Sequence, residues 1–204
     1  VYLALGAHKG IELGVPGELE YAGKGVSYCA VCDGAFFKGE TIAVVGGGDA
    51  AVEEADYLTR YASKVYIIHR RDEFRASMLV QTRALANPKI EVIWNTRVLE
   101  LAGGPKGLTH LELEHVITNA RTRLEATGCF IFIGFKPNTG LVMEHVKHDA
   151  AGYLVTDDRM MTSIPGLFAA GDLRAQLTRQ VTTAVGDATT AAIATEKYLA
   201  ERRK

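Results

Sequence analysis

The chain has 204 residues, of which 48% are hydrophobic and 23% charged, an ordinary globular composition that excludes a largely disordered protein. Lysine and arginine total 23 against 24 aspartate and glutamate, so the net charge of −1 offers no overall positive field for nucleic acid or an anionic membrane surface. No apolar run reaches the roughly 18 residues of a membrane-spanning helix and no signal-peptide pattern opens the chain, so we expect a soluble cytoplasmic protein with small-molecule or protein partners.

The first strongly patterned region predicts a strand, a glycine turn and a helix. Thr41 and the four apolar residues 42–45 predict a buried strand, and residues 64–68 predict a second one. The turn between them contains Gly46, Gly47, Gly48, Asp49, Ala50 and Ala51. The residues that share one face of the predicted helix are Ala51, Ala55, Leu58 and Ala62. This order is a βαβ unit.

Further along the chain, the pattern predicts an antiparallel insertion and then a second layer. The predicted elements are a helix over 76–86, strands over 90–94, 97–102, 108–115 and 121–126, and a buried strand over 128–133. Residues 103–107 are glycine-rich and predict a hairpin turn. A break at 136–140 precedes short segments at 153–156 and 166–172 and a long helix over 182–201. The fold class is therefore α/β, with a Rossmann-like domain that contains an antiparallel β insertion.

The three cysteines divide into a close pair, Cys29 and Cys32, and the single Cys129. Cys129 lies in the apolar run 128–133, which predicts a small core residue. A Cys-x-x-Cys pair can be redox-active, metal-binding or inert; an odd cysteine count with one pair is typical of a reducing compartment with transient, catalytic disulfides. A zinc site needs four ligands, and the other clustered candidates, His145 and His148, are far along the chain, which favours no metal.

The glycine turn predicts a dinucleotide site, because it follows a buried strand and opens a helix. Gly46 would allow the tight turn, Gly48 would let the backbone approach a pyrophosphate, and Ala51 would let helix and strand pack closely. The helix N-terminus would supply free N–H groups to the phosphates.

The residues after the second strand predict which nucleotide binds. An acidic residue there would hold a bare ribose 2′-hydroxyl, whereas this chain has His69, Arg70 and Arg71, with Arg75 four residues later. Guanidinium groups bind phosphate bidentately, so the cluster favours NADPH over NADH. The alternative is a solvated basic loop paired with its own acidic neighbours. Beside such a site, the Cys29/Cys32 pair is predicted to exchange electrons with the cofactor, and Asp33 is either a proton carrier or a turn residue.

Six motifs together resemble the low-molecular-weight, bacterial-type thioredoxin reductases. They are, in chain order, Cys-Ala-Val-Cys-Asp-Gly, Gly-Gly-Gly-Asp-Ala-Ala, His-Arg-Arg-Asp-Glu-Phe-Arg, Ile-Gly-Phe-Lys-Pro-Asn-Thr, Phe-Ala-Ala-Gly-Asp and Arg-Gln-Val-Thr-Thr-Ala. The resemblance implies that NADPH reduces FAD, that the flavin reduces the cysteine pair, and that the pair reduces a thioredoxin disulfide. It also implies a homodimer with a rotating NADPH domain.

The resemblance assigns roles residue by residue. Cys32 would lie against the flavin, Cys29 would attack thioredoxin, and Asp33 would be the acid/base. His69 and the three arginines would hold the 2′-phosphate. Asp172 would bind the ribityl and pyrophosphate region of FAD, and Arg179, Gln180 and Val181 would approach the flavin ring. The other cofactor-binding residues that it implies are Gly47, Asp49, Ala50, Ile133, Gly134, Gly171, Leu173 and Thr182.

The chain departs from the family pattern at its start. The family opens with a βαβ unit of on the order of 30 residues that binds FAD, and this chain begins beyond it. We therefore expect residues 1–17 to be a remnant of the FAD domain, 18–137 the NADPH domain with the redox pair, and 138–204 the C-terminal part of the FAD domain. Leu5 also replaces a threonine, and Ala188 a glycine. Purified alone, this chain is expected to bind NADPH but little flavin.

Two alternative functions stay open at the level of sequence. One is the related flavoprotein that reduces a peroxiredoxin. The other is an NADPH-binding module without catalytic activity.

Overall fold

The computed structural model describes residues 1–7 and 11–202. Two compact units can be separated, one made of residues 1–9 and 135–204 and the other of residues 10–134. We call them the terminal unit and the central unit. Residues 8–10, which belong to the predicted N-terminal segment 1–17, lie outside the described residues, as do residues 203–204.

The described elements match most of the predicted ones. The helices are α1 (Ala30–Asp33), α2 (Asp49–Leu58), α3 (Met78–Ala86) and α4 (Val181–Arg202), with a 3-10 turn over Gly34–Phe37. The strands are β1 (Tyr2–Leu3), β2 (Val26–Ser27), β3 (Thr41–Gly46), β4 (Lys64–Ile68), β5 (Ile90–Ile93), β6 (Thr96–Gly104), β7 (Gly107–His115), β8 (Arg121–Glu125), β9 (Gly128–Phe132) and β10 (Phe168–Ala169). The α/β class and the antiparallel insertion are confirmed.

The core of the central unit is a five-stranded parallel sheet in the order β2-β9-β3-β4-β5. Its central strand β3 is apolar along its length because both of its faces are covered. Ile42 and Val44 face one cluster, which includes the buried residues of α2, while Ala43 and Val45 face the other. Parallel strands all end at the same edge, so the turn after β3 and the loop after β4 meet there.

The second face of this sheet is covered by a three-stranded antiparallel sheet in the order β6-β7-β8. Its hairpin turn is shorter than predicted, because β6 continues to Gly104 and β7 begins at Gly107. Cys129 is fully buried in the same cluster, which confirms the prediction of a core residue. Burial also raises the pKa of its thiol, which keeps the sulfur protonated and unreactive.

Residues 11–17 belong to the central unit, whereas the sequence placed them in an N-terminal remnant. The reason is a buried carboxylate, Glu18, that is 2% exposed. It accepts hydrogen bonds from the backbone N–H groups of Leu13 at 3.0 Å and Gly14 at 2.8 Å, and from the Tyr28 hydroxyl at 2.7 Å. Burial and the bond to Glu18 raise the pKa of Tyr28. These bonds hold the segment to the central sheet.

Replacing Glu18 with Gln is expected to destabilise the central unit by about 2 kcal/mol, because an amide nitrogen would face a backbone donor that then stays buried and unpaired. Urea unfolding of the chain measures this loss. The matched control is Glu91→Gln, whose carboxylate is 56% exposed and pairs with Lys64 at the surface; its effect should stay below about 1 kcal/mol. Equal losses in the two variants would contradict a structural role for Glu18.

The terminal unit has little sheet. Strands β1 and β10 form a parallel pair, and Phe168 of β10 packs on Ala191 and Ala194 of α4. The segment 153–156 does not form a strand. Only Leu154 of this segment makes isolated β-bridges, to His148 and Arg174. Over residues 1–7 and 11–202, no helix has both the length and the apolar character required to cross a membrane.

Candidate functional site

The cysteine pair forms a disulfide at the start of the short helix α1. Cys29 is the residue before the helix, and its Sγ accepts the N–H of Cys32 at 3.1 Å. The bond closes over only two intervening residues, with the two Cα atoms 5.3 Å apart. Cys32 is exposed and Cys29 half-buried, so a second molecule can reach the disulfide from the surface of the central unit. Within the described residues, no three His, Cys, Asp or Glu side chains are arranged to hold a metal ion.

Asp33 follows Cys32 and is held by the residue that ends β2. Its Oδ2 accepts a hydrogen bond from Ser27 Oγ at 2.6 Å, and its N–H donates to the carbonyl of Cys29 at 3.1 Å. The N–H of Cys29 donates to Ser27 Oγ at 3.1 Å. The carboxyl group of Asp33 is thus linked through Ser27 Oγ to the N–H of Cys29, and the N–H of Asp33 is bonded to the carbonyl of the same cysteine.

A cleft of about 500 Å³ lies beside this turn. Asp33, Phe36 and Lys24 are among the residues that line it. Phe36 is 82% exposed and Val31, inside the Cys-x-x-Cys motif, is 62% exposed. Apolar side chains this exposed next to a disulfide are typical of a surface that meets another protein.

At the glycine turn, the close packing that the sequence predicted for Ala51 is made against Gly46, whereas the approach of Gly48 to a pyrophosphate stays a prediction. A Cβ on Gly46 would lie 2.5 Å from the Phe132 carbonyl oxygen and 2.6 Å from the Cβ of Ala51, and its φ is +153°. A Cβ on Gly48, the residue before α2, would meet no described atom within 4 Å. The backbone at the N-terminus of α2 is therefore open to a ligand on one side and packed on the other.

Two hydrogen bonds from backbone N–H groups hold the basic loop after β4 to the glycine turn and the first residue of α2. The N–H of Arg75 donates to the carbonyl of Gly47 at 2.7 Å, and the N–H of Ser77 donates to the carboxylate of Asp49 at 2.8 Å. The bond from Ser77 lowers the pKa of Asp49. Asp49, a predicted cofactor residue, thus holds the loop at the site.

His69 differs from the arginines next to it because it is buried. Its ring is 5% exposed, lies against Phe74 and Trp94, and would overlap any side chain placed on Gly47. Burial lowers its pKa, so the imidazole is neutral near pH 7. The three arginines of the loop, Arg70, Arg71 and Arg75, are all exposed. They carry the positive charge of the loop, since His69 is neutral.

A cavity of about 850 Å³ lies at the carboxyl edge of the parallel sheet, lined by the first two glycines of the turn and by part of the basic loop, while Gly48 and Asp49 lie outside its lining. The predicted site residues that line this cavity are Gly46, Gly47, His69, Arg70, Arg75 and, directly after β9, Ile133. Gly134 closes the same edge through its carbonyl, which accepts the N–H of Ile11. Other walls come from 11–16 and from 96–99. Ala50 is exposed on α2, and Arg71 does not line the cavity.

The remaining predicted residues lie in the terminal unit. Asp187 of α4 accepts the N–H of Gly171 at 3.0 Å and pairs with Arg174 at 2.7 Å. Leu173 is fully buried in the core. The guanidinium of Arg179 lies 3.8 Å from the ring centroid of Tyr153. Gln180, Val181 and Thr182 are at the start of α4, the last two exposed.

Three buried side-chain atoms in the described part of the chain lack a hydrogen-bond partner: His69 Nε2, Asp172 Oδ1 and Arg179 Nε. Buried polar atoms are almost always paired, so each of these three atoms leaves a hydrogen bond for a polar ligand or a water molecule. All three belong to residues that the sequence predicted to contact a cofactor, one in the central unit and two in the terminal unit. The residues present therefore fit a nucleotide in the central unit and a polar cofactor in the terminal unit.

Sequence reasoning missed three residues that shape these sites: Ser27, Glu18 and Asp187. Each makes its contacts outside regular helix or strand pairing, so hydrophobic periodicity does not indicate them. The sequence signal that was available for Ser27 is its position two residues before Cys29, a spacing at which a hydroxyl can bond the backbone of the turn.

Comparison with known proteins agrees with this arrangement. The model of the pyridine nucleotide-disulphide oxidoreductase family matches residues 1–188. Thioredoxin reductase from Listeria innocua is 46% identical over all of this chain, and that from Bacillus subtilis is 46% identical over 93% of it. The crystal structure of thioredoxin reductase from Streptococcus pyogenes covers 98% of this chain at 48% identity and a TM-score of 0.95.

The resemblance to bacterial thioredoxin reductases is thereby confirmed, although the match is to part of each relative. The chain spans 64% of the Listeria protein, 60% of the Bacillus protein and 65% of the Streptococcus chain. The family match extends over both units and includes the disulfide, the glycine turn and the basic loop. The chain belongs to the pyridine nucleotide-disulphide oxidoreductase family.

Proposed function

We propose that this chain is the dithiol-carrying part of a thioredoxin reductase, which reduces the disulfide of a thioredoxin with electrons from NADPH. The observation that carries the proposal is that one unit holds both the Cys29–Cys32 disulfide and the glycine-turn cavity. The relatives named thioredoxin reductase support the choice of partner. A cytoplasmic homodimer is the form that we propose for the whole protein.

The residues of the central unit have separate tasks in this proposal. Cys29 attacks the disulfide of thioredoxin, Cys32 resolves the mixed disulfide, and Asp33 carries the proton. The open backbone at Gly48 would hold the pyrophosphate of NADPH, and Arg70, Arg71 and Arg75 its 2′-phosphate. When bound, NADPH would supply reducing equivalents as hydride, and FAD would supply the two-electron redox chemistry that links it to the disulfide.

The residues of the terminal unit would hold FAD. The unpaired Oδ1 of Asp172 and Nε of Arg179 are suited to its hydroxyl and ring atoms. Gly171, Gln180, Val181 and Thr182 complete the proposed set, with Leu173 contributing packing from the core.

The exposed apolar surface at the redox turn predicts preference for a protein substrate. Replacing Phe36 with Ser should slow the reaction of the reduced chain with oxidised thioredoxin by about tenfold, because an aromatic contact at a protein interface is worth about 1–2 kcal/mol. The reaction with a small chromogenic disulfide should not change. The matched control is Leu79→Ser, an equally exposed apolar residue on α3 that does not line the cleft. Equal slowing with both substrates would argue against a docking role for Phe36.

A turnover assay tests the function as a whole. The chain is supplied with NADPH, added FAD and either thioredoxin or a chromogenic disulfide. Turnover that needs all three components supports the proposal. NADPH binding with no reduction of either disulfide, even by the chain reduced beforehand with dithiothreitol, would instead identify a non-catalytic nucleotide module. Reduction of a peroxiredoxin partner in place of thioredoxin would identify the related flavoprotein.

A further inference from the structure

We propose that Ser27 is a positioning residue for thiol–disulfide exchange, because its hydroxyl fixes the carboxyl group of Asp33 at the redox turn. The inference deepens the proposed function and rests on it. Nothing in the sequence motifs assigns a role to this serine, which is 5% exposed and ends strand β2.

The geometry forms a closed set of bonds around the turn. Ser27 Oγ donates to Asp33 Oδ2 at 2.6 Å and accepts the N–H of Cys29 at 3.1 Å. The carbonyl of Cys29 accepts the N–H of Asp33 at 3.1 Å, which completes the ring. A hydroxyl has one proton to donate, and its contact with the Cys29 carbonyl is longer, at 3.3 Å. The short bond to the carboxyl group therefore uses that proton.

The serine itself has a fixed backbone. Strand β2 pairs in parallel with β9, and Ser27 is in register with Phe130, which is fully buried. Because Ser27 is buried in a strand, its side chain has few rotamers available. Its hydroxyl group therefore restricts the position of the Asp33 carboxyl group more than an exposed serine would. Asp33 is only half-buried, and without Ser27 its carboxyl group would sample other rotamers.

The chemical step shows where a positioned carboxyl group acts. In the reduced chain, the Cys29 thiolate attacks an external disulfide R–S–S–R, forming a mixed disulfide and releasing R–S⁻. Cys32 then attacks the Cys29 sulfur and releases the second R–S⁻. The chain loses two electrons and the external disulfide gains them, while the two thiol protons of the pair end on the two R–SH products.

Only some leaving groups need help with that proton. An alkyl thiolate is basic and leaves slowly unless it is protonated, whereas an aromatic thiolate with a low pKa leaves unaided. A residue that acts through Asp33 therefore affects the reaction with an alkyl disulfide and not the reaction with an aromatic one. A purely structural residue affects both.

The test uses the full chain, reduced with dithiothreitol and desalted, so that neither NADPH nor flavin is needed. Rate constants are measured with 2-hydroxyethyl disulfide as the alkyl substrate and with the aromatic disulfide DTNB. For Ser27→Ala we expect about a tenfold loss with the alkyl disulfide, a fraction of the 10²–10⁴ that a general acid contributes, and no change with DTNB. Ser27→Thr keeps the hydroxyl and should restore the rate. Ser63→Ala removes an exposed serine hydroxyl that bonds a backbone carbonyl, and serves as the matched control.

A second set of variants makes the proposal falsifiable if Ser27→Ala folds poorly. Asp33→Asn should show the same selective loss, and Ser27→Ala should add nothing to it in the double variant. Additive losses, or equal slowing with both disulfides, would overturn the role of Ser27. If the wild-type chain itself fails to react with DTNB, the proposed function is wrong. That outcome is distinct from those that overturn only the role of Ser27.

Discussion

Replacing Cys29 with Ser is expected to abolish disulfide reduction while NADPH binding is retained. The reason is that exchange needs two thiols in sequence, one to attack and one to resolve. The reduced wild-type chain should release two equivalents of thiolate from DTNB at this pair, whereas the Cys29→Ser variant should release one and remain trapped as a mixed disulfide on Cys32. Absorbance of the released thiolate and the intact mass of the chain measure both outcomes.

The matched control is Cys129→Ala, because Cys129 is a buried thiol whose pKa is raised. It should leave the exchange unchanged. The complementary variant, Cys32→Ser, decides which thiol attacks. Cys32 is the more exposed of the two in the disulfide form, so faster capture of thioredoxin by Cys32 than by Cys29 would reverse the assigned roles.

The double replacement of Arg70 and Arg71 with Ala is expected to weaken NADPH binding by roughly 100-fold and NADH binding by less than about threefold. Each charge-assisted bond to phosphate is worth about 1.5–3 kcal/mol, and NADH has no 2′-phosphate to lose. Arg70 lines the cavity and Arg71 does not, so the single variant Arg70→Ala should account for most of the loss. Isothermal titration of each nucleotide gives the two dissociation constants.

The control for this charge change is the double variant Arg121→Ala and Arg123→Ala on strand β8. Both arginines are more than half exposed and neither lines the cavity. Arg123 pairs with the exposed Glu125, and Arg121 with the buried Glu114, which keeps Arg97 as its closer partner, so the net charge changes equally. A similar loss of NADPH and NADH affinity in the Arg70/Arg71 variant would identify the cluster as a solvated loop. Arg75 is left in place because its backbone holds the loop to Gly47.

The hydrophobic pattern of the sequence predicted most helices and strands of the central unit, because the pattern of each element is contained within its own residues. The continuous apolar run of β3 reflects burial on both faces, and β4 has the bounds that the sequence predicted. Helix α3 begins at Met78, two residues later than predicted, where Ser77 bonds Asp49. Helix α2 ends at Leu58, so Ala62 lies outside it although the sequence placed it on the same helical face. Ala62 is nevertheless buried, so the spacing predicted its burial but not the end of the helix.

The sequence by itself determined the α/β class, the disulfide candidate, the glycine turn and the basic loop, because short-range spacing and residue type encode all four. Only the tertiary structure decided that residues 11–17 join the central unit, that the ring of His69 lies buried beneath Gly47, and that Ser27 holds Asp33. Each of these depends on a buried side chain whose hydrogen bonds or ring contacts form only when the chain is folded. Burial and hydrogen-bond partners arise when the segments pack, and periodicity along one segment carries no record of them.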